Sequence, residues 1–176
     1  MGLEDGDGRG VRTDDIKLAL KGHVKDGYKF NPLSSLSGGG LGYNSSPSIS
    51  DRVNVLVYIH SAAQIKSSIL QKMREIRESA NELGIPQLAI LTHIDAKCSV
   101  FGIFLRNFYR ENIKTKMDDF SSSLGIPVNH ILLVKNYSHE IQLNPDVDIL
   151  ILSALRLMID FGDDYTKNSV SLQNSV

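Results

Sequence analysis

Short apolar segments alternate with longer amphipathic ones, and this order constrains the fold of the chain more than any other feature. Three short apolar segments are predicted as strands, at 53–59, 88–91 and 131–134, and the first is rich in β-branched residues. They lack the alternation of a strand with one solvated face, so both faces are expected to be buried. Buried strands separated by helices require right-handed crossovers and a parallel sheet. The predicted class is α/β, a partial three-layer fold with helices flanking a parallel sheet.

Apolar side chains between the strands recur every three or four residues, which predicts helices over about 64–83 and 104–124. A short helix is predicted to begin at a capping Thr13. The last helix is predicted to begin at Asn144-Pro145-Asp146, a favourable capping sequence, and to continue to about residue 159. Because it is apolar on nearly all sides, it is expected to be largely buried.

The length of 176 residues predicts one domain of ordinary size, residues 1–162, followed by a disordered polar tail at 163–176. Residues 1–12 are rich in glycine and are expected to be mobile. The Gly- and Ser-rich segment 25–50 predicts a long loop, which is either functional or disordered. Three strands make a narrow sheet with an unpaired edge. The chain is therefore expected to be the carboxyl-terminal part of a larger fold, or to receive strands from elsewhere.

The overall charge and composition exclude several function classes. The net charge is -1 and the basic residues are scattered, which does not favour nucleic-acid binding. No apolar run reaches the ~18 residues needed to span a bilayer. Cys98 is the single cysteine and lacks a nucleophile signature, and no His–Cys spacing suits a metal. Neither a catalytic residue nor a metal site is predicted, and the first fifteen residues do not resemble a secretory signal.

Ligands of open α/β sheets bind beyond the carboxyl ends of the strands, where three loops of this chain are predicted to meet. The three loops are His60-Ser61-Ala62-Ala63, Thr92-His93-Ile94-Asp95 and Lys135-Asn136-Tyr137-Ser138. The second and third follow neighbouring strands, so they are expected to meet over one ligand.

The second loop matches the [Asn/Thr]-Lys-x-Asp pattern with which GTP-binding proteins recognise guanine, except that His93 replaces the Lys. The carboxylate of such an Asp accepts hydrogen bonds from N1–H and the 2-amino group of guanine, and charged pairs of this kind are strong. Adenine offers neither donor. The alternative is that Thr92 and Asp95 form an ordinary strand-end turn, and that Asn136 is a simple turn residue.

Several other segments, spread in order from residue 1 to about 165, carry a more specific pattern. They include Met1-Gly2-Leu3, Tyr28-Lys29-Phe30-Asn31-Pro32, Leu91-Thr92-His93-Ile94-Asp95, Asn136-Tyr137-Ser138 and Leu150-Ile151-Leu152-Ser153-Ala154-Leu155-Arg156. Together they resemble the GTPase-type domain of the interferon-induced protein 44 and interferon-induced protein 44-like family. The Thr-His-x-Asp form is itself similar to that family, which has a P-loop-NTPase-like fold.

The resemblance implies a cytoplasmic, interferon-induced protein of the immune and antiviral response that binds GTP or GDP with Mg²⁺ in its full-length form. It implies nucleotide contacts from Thr92, His93, Asp95 and Asn136, and from Gly2, whose N–H matches the one facing the γ-phosphate. As the second residue, Gly2 is not expected to be held in place. No protein partner can be named from the sequence.

The phosphate loop of that family, Gly-x-x-x-x-Gly-Lys-Ser, does not occur in these 176 residues. Such a loop carries much of the nucleotide affinity and nearly all of the phosphoryl-transfer catalysis. Base contacts alone discriminate by about 1–3 kcal/mol. This chain alone is therefore expected to bind GTP weakly at most and not to hydrolyse it.

Two other readings remain open at the level of sequence. One is a non-catalytic interaction or scaffold module, whose partner binds the unpaired edge of the 53–59 strand or the loop at 34–43. The other is an incomplete product that does not fold stably.

Overall fold

Strands and helices alternate along the chain in the computed structural model, which describes residues 2–6, 8–62, 66–94, 108–138 and 140–173. The strands are β1 (Leu56–Ser61), β2 (Gln87–Thr92) and β3 (Ile131–Leu133). The helices are α1 (Thr13–Leu20), α2 (Ser67–Glu82), α3 (Phe108–Leu124) and α4 (Pro145–Gln173). Short 3₁₀ turns occur at Ile49–Asp51 and Val128–His130.

The three strands form one parallel sheet in the order β1-β2-β3. Ala89 pairs with Ile131 and Leu91 with Leu133, so β2 and β3 run in the same direction. Two backbone bonds show the same for β1 and β2, since Leu56 N–H donates to the Pro86 carbonyl and Ala62 N–H donates to the Thr92 carbonyl. The predicted α/β class with a parallel sheet is confirmed, and it is consistent with a partial P-loop-NTPase-like fold.

β1 begins three residues later than predicted. The N–H of Val53 donates to the Leu20 carbonyl at the end of α1, and this removes Val53 from the sheet ladder. The central strand β2 agrees best with its pattern, because four consecutive residues from Leu88 to Leu91 are at most 7% exposed. Burial of one such Leu or Ile contributes about 1.5–3 kcal/mol.

The end of α2 is set by a glycine, within one or two residues of the predicted end at 83. Gly84 has φ +66°, a left-handed conformation that suits glycine. Its N–H donates to the Asn81 carbonyl, and Ile85 N–H donates to the Ala80 carbonyl. These are the two bonds of a Schellman motif. The predicted capping role of Thr13 is wrong, however, because its hydroxyl donates to Glu75 on α2 at 3.2 Å and α1 has no side-chain cap.

Two expectations for α4 differ from the structure. The helix continues through Gln173, although a disordered tail was expected from Asp163. Lys167 pairs with Asp163 one turn earlier, and the Thr166 and Ser169 hydroxyls donate to carbonyls one turn back, so polar side chains are satisfied locally. Only one face of α4 is buried rather than nearly all of it, because a three-stranded sheet covers one side.

The chain divides into two compact units, Met1–Leu56 with Lys66–Pro86, and Val57–Ile65 with Gln87–Val176. The predicted domain boundary at residue 162 stays a prediction. In the first unit, the long loop is anchored by a Val24–Tyr43 bridge and by stacking of the His23 and Tyr43 rings. Asp15 adds a third anchor, since it is fully buried and one of its carboxylate oxygens accepts the Leu36 N–H at 2.8 Å.

The glycine-rich start of the chain is also anchored, contrary to expectation. Leu3 and Gly10 form an antiparallel bridge, and Val11 N–H donates to the Gly2 carbonyl at 2.9 Å. Gly10 has φ +66°, and a Cβ there would lie 2.3 Å from the Gly2 oxygen. Glycine is therefore required at Gly10 for this close approach.

The second unit contains a small apolar core between the sheet and α4. Ile90, Val134 and Ala154 are buried together, and four half-buried side chains pack against them. The four are Val57, Leu132, Ile151 and Met158. Among the helices described, none has the length and apolarity to cross a membrane.

Candidate functional site

The carboxyl ends of the three strands lie together at one edge of the sheet in the second unit. The Ala62 N–H donates to the Thr92 carbonyl at 2.7 Å, so the end of β1 is joined to the end of β2. On the other side, Val134 N–H donates to the Leu91 carbonyl at 2.9 Å. The structure thus brings the three predicted loops to neighbouring starting points at this edge.

Thr92 is buried at this edge of the sheet, and its hydroxyl contacts the protein itself. The residue is 9% exposed. Its hydroxyl lies 3.3 Å from the His60 carbonyl and 3.0 Å from Nδ1 of His93. A single hydroxyl therefore connects β1, β2 and the turn that follows β2.

His93 turns the backbone sharply where β2 ends. It has φ +55°, a left-handed conformation that is uncommon for residues other than glycine, and its side chain is exposed. The conformation costs about 1 kcal/mol relative to an ordinary turn, which the bond to Thr92 helps to offset. Asp95 lies outside the described residues, so its predicted guanine contact stays a prediction.

The loop after β3 contains a partly buried ion pair. Lys135 is 6% exposed, and its ammonium contacts a carboxylate oxygen of Glu140. The other oxygen of Glu140 accepts the Ser138 N–H at 2.9 Å. Asn136 is exposed at this loop, and its side chain makes no hydrogen bond to the described part of the chain. Among the described residues, none occupies its amide, and the side chain is exposed where a ligand could reach it.

Tyr137 fastens the same loop to the start of α4. Its hydroxyl donates to Asp148 at 2.7 Å and accepts the Asn144 N–H at 2.8 Å. Partial burial, together with the hydrogen bond to Asp148, raises the pKa of Tyr137 above its ordinary value of 10.0. Asn144 caps α4 as predicted, because its side-chain oxygen accepts the Asp146 N–H.

Sequence reasoning missed the contacts of three charged residues at this edge, namely Lys116, Lys135 and Glu140. The Lys116 ammonium of α3 donates to the Ala62 carbonyl at 2.8 Å, which caps the end of β1. Nothing local in the sequence indicates this contact, because 54 residues separate the two groups. The Lys135–Glu140 pair had a weak signal, namely opposite charges on either side of a short polar turn.

Gly2 belongs to the first unit, where its carbonyl takes part in the bridge near Gly10. Its predicted contact with a γ-phosphate stays a prediction. Within the described residues, no group of three or more His, Cys, Asp or Glu side chains is arranged to hold a metal ion.

Comparison with known proteins relates nearly the whole chain to one group. Interferon-induced protein 44 of Homo sapiens is 34% identical over 172 residues, 96% of this chain and 38% of that protein. Interferon-induced protein 44-like of Homo sapiens is 34% identical over the same shares. Interferon-induced protein 44 of Mus musculus is 31% identical over 167 residues, 93% of this chain and 40% of that protein.

No protein-family model and no solved structure matches the chain. The chain spans about two fifths of the length of the curated relatives that it matches. The family resemblance noted in the sequence is confirmed by identity that extends across almost all of the chain. The chain belongs to the interferon-induced protein 44 family.

Proposed function

We propose that the carboxyl edge of this sheet is the base-recognition part of a guanine-nucleotide site. The observation that carries the proposal is the side-by-side ending of β2 and β3, where Leu91 pairs with Leu133. The turn at His93 and the loop at Asn136 leave the sheet at neighbouring points, and the Asn136 amide is open to a ligand. This is the position at which α/β sheets bind ligands.

Each residue has a distinct role in the proposed site. Thr92 is a positioning residue, because its hydroxyl is already used by His60 and His93. The carboxylate of Asp95 accepts hydrogen bonds from N1–H and the 2-amino group of guanine. Asn136 donates to O6 of guanine, and the Lys135 ion pair holds the loop that carries it.

The proposed affinity is low for this chain alone. Contacts to the base contribute about 1–3 kcal/mol, whereas a total of about 4 kcal/mol corresponds only to millimolar binding. The same proposal includes binding of the nucleotide phosphates and Mg²⁺ by the full-length protein. In it, the backbone N–H of Gly2 faces the γ-phosphate. Hydrolysis of GTP is not proposed for this chain.

Thermal unfolding with millimolar GTP, GDP or ATP and Mg²⁺ tests the site. When the nucleotide concentration equals the dissociation constant, the ligand stabilises the folded state by about 0.4 kcal/mol, which is a shift of about 1–2 °C for a chain of this size. We expect this shift from GTP and GDP and none from ATP. Asp95→Asn should abolish the shift, and Asp119→Asn on the exposed side of α3 should retain it. Equal shifts with ATP, or none with any nucleotide, would refute guanine recognition.

We also propose that the protein is interferon-induced and acts in the cytoplasm during the immune and antiviral response. The support is the name of its relatives, which are called interferon-induced proteins. Transcript levels after interferon treatment test the induction, and the yield of virus from cells that lack the gene tests the role. Unchanged transcript and unchanged yield would refute both.

A second candidate function is a non-catalytic interaction module. β1 lies at one end of the described sheet, and its six residues include neither proline nor an acidic or lysine side chain that would protect an edge. Ile59 in this strand is 68% exposed. A cooperative melt that is indifferent to every nucleotide would favour this function over guanine binding.

A further inference from the structure

Helix α4 presents an apolar surface to solvent. Ile149, Leu152, Leu155 and Ile159 are between 45% and 67% exposed. Their spacing of three, three and four residues places them on one side of the helix. The loop before α4 adds Ile141, at 100% exposed, and Leu143, at 83%. We call these six residues the α4 stripe.

The α4 stripe is not the face that forms the core of the second unit. Val147 and Ala154 are each 2% exposed and form that buried face, beside the half-buried Ile151 and Met158. Single exposed apolar side chains are normal on proteins, whereas several apolar side chains together on one side of a helix favour an interaction surface. The stripe is therefore a candidate surface for a partner.

Charges on the helix indicate which partner fits. Asp148 and Arg156 lie four residues before and four residues after Leu152. If a second α4 crosses antiparallel with Leu152 on the two-fold axis, Asp148 of each copy faces Arg156 of the other. The same arrangement places Ile149 opposite Leu155. The surface is thus complementary to itself, as a two-fold interface must be.

The existing contacts of Arg156 leave it available for such a pair. The residue's side chain is 84% exposed and lies 3.7 Å from Asp160 on its own helix. Exposed ion pairs within a helix stabilise a protein only slightly. Arg156 therefore loses little stabilisation if it leaves Asp160 and pairs with Asp148 of a second copy.

A lipid surface fits the stripe less well than a protein does. Helices that lie on membranes carry Lys and Arg along their polar side. The described part of α4 carries acidic side chains instead, with only Arg156 and Lys167 as basic residues. The acidic ones are Asp146, Asp148, Asp160, Asp163 and Asp164.

We propose that the α4 stripe is the interface of a homodimer in which two α4 helices cross antiparallel at Leu152. Leu152 packs on its own counterpart, and two Asp148–Arg156 pairs flank it. One helix pair with two short loops forms a small interface, so the dimer is expected to associate in the micromolar range. This inference is independent of nucleotide binding.

Sedimentation velocity of the 176-residue chain, from micromolar to near-millimolar concentration, tests the dimer. The unsubstituted chain should shift from monomer to dimer as its concentration rises. Leu152→Asp should remain monomeric. Asp148→Arg and Arg156→Asp should each weaken association by about tenfold or more, because each places like charges together twice.

The decisive sample is a mixture of the two charge-reversal variants. In the mixed dimer, each Arg faces an Asp again, so association should return although both chains keep their substitutions. Restoration cannot come from repair of folding, and this matters because Asp148→Arg also removes the contact with Tyr137. Lys114→Asp on α3 makes the same charge change as Arg156→Asp at another exposed site and should leave the dimer intact.

Three results would overturn the proposal. One is a chain that stays monomeric throughout the concentration series. Another is a mixture that associates no better than either variant alone. The third is flotation of the unsubstituted chain, but not of Leu152→Asp, with anionic phospholipid vesicles, which would assign the stripe to a membrane.

Discussion

The hydroxyl of Thr92 lies 3.3 Å from the carbonyl oxygen of His60, on the neighbouring strand, and 3.0 Å from Nδ1 of His93. One buried side chain thus joins two strand ends and fixes the turn from which the proposed guanine-binding residue follows. Thr92 therefore positions the strand ends and the turn at this edge. Its replacement should lower the free energy of unfolding.

Thr92→Val removes the hydroxyl and retains the shape of the side chain. We expect a loss of about 1 kcal/mol in the free energy of unfolding, measured by urea denaturation. Thr92→Ser keeps both hydrogen bonds and should lose less. A valine variant as stable as the serine variant would show that the hydroxyl is not needed at this edge.

Glu140→Ala should leave the buried Lys135 ammonium without its carboxylate. Removal of one partner from a fully buried pair costs about 3–5 kcal/mol, and we expect a smaller loss here because the Glu140 side chain is 20% exposed. The double variant Lys135→Met/Glu140→Gln should recover most of this loss in the same denaturation assay. Asp163→Ala breaks the exposed pair with Lys167 and should cost less than about 1 kcal/mol. Similar losses for the buried and exposed pairs would contradict the burial of Lys135.

Asp15→Ala should destabilise the chain far more than Asp14→Ala, although the two residues are adjacent. Asp15 is 0% exposed and holds the Leu36 N–H, whereas Asp14 is exposed. A buried N–H left without an acceptor costs about 1–3 kcal/mol. Denaturation measures the loss, and faster hydrogen exchange at Leu36 in the Asp15 variant locates it. Unchanged exchange at Leu36 would refute the anchoring role.

Asp51 should titrate below its ordinary pKa of 3.8. The Ser48 hydroxyl at 2.6 Å and the Ser48 N–H at 2.8 Å both donate to its carboxylate and lower its pKa. A carboxyl group whose pKa is lowered by folding stabilises the fold above the unfolded value. This contribution is lost as the pH falls from about 3.8 through the lower, folded pKa.

An NMR titration of the Asp51 carboxyl measures this shift directly. Ser48→Ala removes the stronger donor and should raise the pKa of Asp51 towards 3.8. Ser45→Ala, in the same exposed segment, should leave the pKa unchanged. A pKa that is insensitive to Ser48→Ala would show that the hydroxyl does not bond to Asp51 in solution.

The parallel sheet and most of the helices could be predicted because their signals are local. An unbroken apolar run such as Leu88–Leu91 suits a strand that is buried on both faces, and it became the central strand. Gly84 ends α2 because a left-handed residue closes the last turn, a property of one residue and its neighbours. The placement of the three loops at one edge follows from parallel strands alone.

The chemistry of that edge was less predictable. Asn136 could be placed there from sequence, but Lys116 and the burial of Lys135 depend on contacts made after the chain folds. Asp14 and Asp15 are adjacent acidic residues in the first turn of α1 and are not distinguishable by residue type. Their positions on the helix differ by one residue, and this difference directs only the Asp15 side chain inward, where it accepts the Leu36 N–H.

The sequence by itself determined the order of strands and helices, the parallel direction of the sheet and the family, since these depend on periodicity, turn residues and identity along the chain. Only the tertiary structure decided which charges are buried and which face of α4 remains exposed. Ile149 and Ile151 illustrate the difference. The two isoleucines look alike in sequence, but the sheet reaches one side of the helix only, so Ile151 joins the core and Ile149 stays in water.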